Sequence, residues 1–170
     1  MEVRSVEAIV AALDRARVEY VIVGGLAVIA HGYERLTKDL DLVIRLQPEN
    51  IARGIRALQE IGYRMAIPVT PEEFADPARR ERWRAEKNMV VLKLWSDEHR
   101  RTPVDVFVFE PFDFARELAA ARWMDFGGPA KAPILALPTL IEMKRAAGRP
   151  QDLADVAALE ELQRLREQHD

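Results

Sequence analysis

The sequence predicts an α/β fold, and three features carry that expectation. Short apolar runs at 20–23 (YVIV), 39–44 (DLDLVI) and 104–109 (VDVFVF) have the length and β-branched character of strands. Between them lie stretches with apolar residues at helical spacing, such as Ile51, Ile55, Leu58 and Ile61. Two further helical stretches follow one another over about 137–168.

With 170 residues the chain is long enough to bury a core without staples and short enough for one domain, with a core over about 1–136 and a helical part after it. A hydrophobic fraction of 49% and a net charge of -3 give no global pull toward nucleic acid or membrane, so a polyanion would need a local patch. Without cysteine the fold uses neither disulfides nor thiolate metal sites. The N-terminus lacks the basic-then-apolar plan of a signal peptide, and no apolar run approaches the roughly 20 residues of a membrane span, so a cytoplasmic location is expected.

Residues 3–17 place Val6, Ile9, Val10 and Leu13 on one helical face, with Ser5 as the expected N-cap. The strand 20–23 stops at Gly24 and Gly25, and a short helix follows to Gly32, its Ala27 and Ala30 small enough to pack close. After the strand at 39–44, Pro48 opens a helix that Gly62 ends near 61. A short strand is expected at 63–67 and an irregular polar stretch at 70–88. The runs 89–95 and 104–109, joined by a charged turn, read as an antiparallel hairpin. A helix is expected at 113–122 and a short hairpin around Gly127 and Gly128. Thr139 and Glu142 form an expected capping box, Gly148 and Pro150 stop that helix, and Leu153, Val156, Leu159, Leu162 and Leu165 stripe the last one.

Strand parity singles out three acids. Asp39 and Asp41 project to one side while Leu40, Leu42 and Ile44 point to the core, and Asp105 alone interrupts an apolar strand beside Phe107. Like charges about 6 to 7 Å apart along a strand repel unless a cation sits between them, and hard divalent ions with oxygen ligands serve that purpose. Three converging carboxylates would suit a two-metal phosphoryl-transfer centre; the alternative is that strand-end aspartates cap turns and meet solvent. Gly24 and Gly25, at a strand-to-helix turn, leave room for a ligand such as a phosphate, or only make the turn. Neither a dinucleotide fingerprint nor a P-loop occurs, His31, His99 and His169 are scattered, and Ser5 and Ser96 lie outside any nucleophile motif.

An apolar strand, Gly-Gly, a short helix, Asp-x-Asp on the next strand and a later lone Asp resemble the polymerase-beta-like nucleotidyltransferase superfamily. Within it, 24–44 together with 137–159 is similar to the abortive-infection (AbiEii-type) nucleotidyltransferases, toxins of type IV toxin–antitoxin pairs. The resemblance implies a mixed, mostly antiparallel sheet with flanking helices and two C-terminal helices beside an open cleft. It implies that Asp39 and Asp41 hold Mg²⁺ (or Mn²⁺), that Asp105 ligates one ion and helps deprotonate the acceptor, and that Gly24 and Gly25 bind a nucleoside triphosphate. Arg35 and Thr37 would reach the nucleotide phosphates, whereas Lys38 is as well explained by a solvated loop. Lys144 resembles a helix lysine that faces the site, followed by Arg149, Asp152 and Asp155; each also has a plain reading as solvated or helix-end charge.

The implied chemistry is nucleotidyl transfer with release of pyrophosphate, and the implied acceptor is a tRNA end, held in check by an antitoxin partner. A protein or a small molecule such as an antibiotic is the alternative acceptor, and a silent nucleotide-binding module the third reading. Residues 79–87 hold five basic side chains, two acids and Trp83, with Arg100 and Arg101 at a later turn, which would suit an RNA end or simply a solvated helix laced by ion pairs.

Overall fold

The computed structural model describes residues 1–168, so His169 lies outside the described residues. Among them a seven-stranded sheet and eight helices alternate as α1 (Val3–Arg15), β1 (Tyr20–Val23), α2 (Gly24–Ala30), β2 (Leu40–Ile44), α3 (Pro48–Glu60), β3 (Tyr63–Met65), α4 (Pro71–Ala75), α5 (Pro77–Lys87), β4 (Val91–Ser96), β5 (Val104–Phe107), α6 (Phe114–Ala120), β6 (Arg122–Asp125), β7 (Lys131–Ile134), α7 (Leu137–Ala147) and α8 (Pro150–Glu167). The sheet order is β3-β4-β5-β2-β1-β7-β6. Only β1–β7 and β2–β5 pair in parallel, so the sheet is mixed and mostly antiparallel, as expected.

Parity works as read. Leu40, Leu42 and Ile44 are fully buried and share a face with Val104, Val106, Leu92 and Leu94. That face receives α3, whose Gly54 lies against Ile44 and Val18. α1 packs on α3, burying Val6, Ile9, Val10 and Leu13. Each of these side chains removes apolar surface worth about 1.5–3 kcal/mol. The opposite face carries Asp41, Asp105, Lys93 and Trp95 on its central and β4 strands, and there Trp95 and Lys93 stay exposed.

Four local expectations are corrected. Ser5 does not cap α1: the helix begins at Val3, Glu2 holds the N-cap position without a side-chain capping bond, and Ser5 is buried inside the first turn with its hydroxyl 3.0 Å from His99 Nδ1. The stretch 70–88 is two helices, each opened by proline after a capping side chain, Thr70 and Asp76. The box at Thr139 and Glu142 does not form: α7 starts at Leu137 with Pro138 in its first turn, so Thr139 already lies inside. In α8, Val156 and Leu159 are buried, but Leu153 and Leu165 are among the exposed apolar side chains, so the stripe is covered only in its middle. No helix of the described residues is long and apolar enough to cross a membrane.

Candidate active site

The parallel register of β2 and β5 sets Asp41 beside Asp105, on strands about 4.8 Å apart. Asp39 precedes β2 by one residue and shares their side by alternation. β1 completes the arrangement: Val23 pairs with Asp41, so the chain turns at Gly24 directly against that carboxylate. A Cβ at Gly24 would overlap the Asp41 carboxylate, and the residue has φ +65, so glycine is required twice over. At Gly25 a Cβ would overlap Thr37, and it would lie 2.8 Å from Arg35 Nη2. Gly24, Gly25, Arg35, Thr37, Asp39, Asp41 and Asp105 are therefore brought together.

Electrostatics separates the acids. The Asp41 carboxyl is pushed up to about 6, chiefly by burial, then by the charges of Asp105 and Asp39; a hydrogen bond from the Gly25 N–H and the more distant Lys144 only partly oppose this. Burial also raises Asp105, against the pull of Lys93. Lys93 faces Asp105 across the antiparallel β4–β5 pair and reaches both carboxylate oxygens, at 3.0 and 2.9 Å. Sequence reasoning missed Lys93; alternation in 91–95 marks it as outward, but only the register supplies its partner.

Lys144 is held in a buried ion-pair cluster whose charge is felt at Asp41. It is buried, with Nζ 2.9 Å from both an Asp152 and an Asp155 oxygen, so its charge joins α7 to α8. Arg35 Nε lies 2.9 Å from Asp155 Oδ1, and Arg149 Nε donates to Asp152 at 2.7 Å. Burial pushes the Asp152 carboxyl up, but Arg149 and Lys144 outweigh it and hold the group below its usual range. Lys38 is exposed. The basic segment 79–87 lies in α5, where Arg79 pairs with Glu73 and Asp76, Arg80 donates to the Phe74 carbonyl, and Arg84 stacks over Phe109. Phe109 follows the far end of β5, so α5 does not flank the acids. An open hollow of about 550 Å³ between α5, Arg45 and Phe109, and another of about 640 Å³ between α3 and α4, also lie away from them.

Do the residues fit a divalent ion? Among the described residues no three acidic or histidine side chains are gathered closely enough to ligate one ion, in keeping with Lys93 drawing Asp105 aside. The donor set nevertheless fits: oxygen-only ligands, three carboxylates on one side of adjoining strands, and an Asp41 carboxyl that the charge of Lys144 offsets only in part. An ion between them would relieve the repulsion that raises Asp41.

Comparison with known proteins agrees with this frame. Residues 5–85, just under half of the chain, match the family model of aminoglycoside-2''-adenylyltransferase. The crystal structure of the lincosamide antibiotic adenylyltransferase LnuA, with lincomycin bound, is similar over 94% of this chain and 96% of that one, with a TM-score of 0.57 at 14% identity. An antigenic nucleotidyltransferase-like protein from Paracoccidioides brasiliensis is similar over 93% of this chain and 75% of its own, with a TM-score of 0.54 at 17% identity. No curated protein sequence matches significantly. The chain thus has the nucleotidyltransferase fold, and the matching family model is one of nucleotidyltransferases.

Proposed function

We propose that this chain is a metal-dependent nucleotidyltransferase that moves a nucleoside monophosphate from a triphosphate to an acceptor hydroxyl. The observation that carries the reading is the row formed by Val23, Asp41 and Asp105 across three adjacent strands, with Gly24, the next residue, pressed so closely on Asp41 that a methyl group would displace the carboxylate. ATP is the donor best supported, since two of the likenesses are to adenylyltransferases.

Asp39 and Asp41 would hold Mg²⁺ or Mn²⁺, and Asp105 would ligate one of the ions. When bound, such ions neutralise the triphosphate and polarise the reacting phosphoryl group. Gly24 and Gly25, which carry no side chain, would let the phosphates approach the backbone at this turn, and Arg35 and Thr37 border the same space. Asp105 would take the acceptor proton as the acceptor oxygen attacks the α-phosphorus, the α–β anhydride bond breaks and pyrophosphate leaves. Transfer of this kind depends on alignment and charge neutralisation more than on covalent help. Lys144, fixed between two aspartates, acts by holding α7, α8 and Arg35 in place rather than by reaching the nucleotide.

A small hydroxyl-bearing molecule of antibiotic type is the acceptor that the family model and LnuA favour. A second reading, a tRNA end modified by a toxin with an antitoxin partner, is favoured by the ion-pair linkage of Arg35, Lys144, Arg149, Asp152 and Asp155, residues that belong to the resemblance to the AbiEii branch. Basic α5 lends it no support, since it flanks neither the acids nor the glycines.

The test is transfer of label from each α-labelled nucleoside triphosphate, with Mg²⁺ or Mn²⁺, into aminoglycosides, lincosamides, total tRNA and protein, with folded Asp39→Ala and Asp105→Ala as controls. Label in any acceptor that disappears in both controls supports the reading and names the acceptor class. Label that survives in the controls, or no label with any acceptor, overturns it.

A further inference from the structure

Of the three acids, Asp105 is the only one that the described contacts pair with a cation, and the partner is placed by the sheet itself. Lys93 and Asp105 are register partners on adjoining antiparallel strands, so the lysine stem crosses directly to the carboxylate. One ammonium lies 3.0 and 2.9 Å from the two carboxylate oxygens, covering the edge by which a carboxylate chelates an ion. The pair is lopsided: the Lys93 side chain is 61% exposed and that of Asp105 only 10%. A flexible stem on an open face can leave without moving a strand, whereas the carboxylate cannot follow it.

We infer that Lys93 is a resident counter-cation that occupies Asp105 in the metal-free protein, competes with the divalent ion for that carboxylate, and so weakens metal binding before nucleotide arrives. Two consequences follow from the geometry. An ion that takes Asp105 must displace the ammonium from at least one oxygen, and the freed charge then stands on the open face beside the acids. The pairing also explains why three aligned carboxylates are not drawn together. The inference rests on the metal-dependent reading above.

The test is Mn²⁺ titration of the nucleotide-free protein, followed by the electron paramagnetic resonance signal of free Mn²⁺, for the wild type, Lys93→Met, Lys93→Arg and Asp39→Asn. Removing a unit charge in contact with a ligand is expected to tighten Mn²⁺ binding by about tenfold or more in Lys93→Met. Lys93→Arg, which keeps the charge, should stay near the wild type, and Asp39→Asn should weaken binding. An unchanged or weaker affinity in Lys93→Met overturns the inference, and a fall in its melting temperature without tighter binding makes Lys93 purely structural. If the wild type binds no Mn²⁺ even with nucleoside triphosphate present, the metal centre itself is absent and both readings fall together; if it does bind but Lys93→Met is no tighter, only the inference fails.

Discussion

Two groups of charge meet at Gly25 and are built on opposite principles. On the helical side, Lys144 sits between Asp152 and Asp155, with Arg35 and Arg149 at the ends, so every buried acid has a cation at 2.7 to 2.9 Å. On the sheet side three acids share one paired cation, Lys93, and Asp41 is left raised to about 6 by burial and by its neighbours. The first group spends its charge internally and fixes the packing of α7 on α8. The second leaves charge unspent at the edge of a loop that excludes any Cβ, and a fold keeps such an unfavourable arrangement where a ligand supplies the missing cation.

The contrast is broken most severely from the helical side. Lys144→Met leaves two buried carboxylates short of a partner and should cost about 3–5 kcal/mol, read from urea unfolding; a loss under about 1 kcal/mol would mean that Arg35 and Arg149 suffice. Gly24→Ala combines a left-handed backbone with overlap on Asp41 and should cost about 1–3 kcal/mol while also weakening Mn²⁺ binding. Unchanged Mn²⁺ affinity in a folded Gly24→Ala protein would detach the glycine from the acids. At the small end, Arg79→Ala and Arg84→Ala on α5 should leave the transfer rate within about twofold, since exposed pairs contribute little. A large fall in transfer to tRNA alone would make α5 an acceptor surface after all.

Much of the sheet side was legible along the chain, because strand parity is a local property. The bounds of β1, the outward aspartates and the β4–β5 hairpin all follow from alternation and turn chemistry. Helices α4 and α5 were hidden by charge: α5 buries only Arg80, so no apolar stripe marks it, and the readable signals were Thr70 and Asp76 before their prolines. Lys93 and Lys144 illustrate the harder limit. Each is defined by a partner across a strand register or a helix pair, and those distances are set by tertiary packing. The order of the strands lies beyond parity for the same reason, since parity assigns faces and not neighbours.

The most direct measurement compares the unfolding free energy of the metal-free wild type and Asp41→Asn across pH. The Asp41 carboxyl is pushed up from 3.8 to about 6 in the fold, so the folded wild type holds its proton longer; the contribution of Asp41 to stability is greatest below about pH 4, falls as pH rises through 6, and then levels. Asparagine removes that loss. The expected result is that Asp41→Asn is more stable than the wild type by about 1–3 kcal/mol at pH 7.5, with the gain shrinking toward pH 4, while nucleotidyl transfer is abolished. A variant less stable than the wild type at pH 7.5 would mean that the Asp41 charge is satisfied within the fold, and would contradict a site held open for a metal ion.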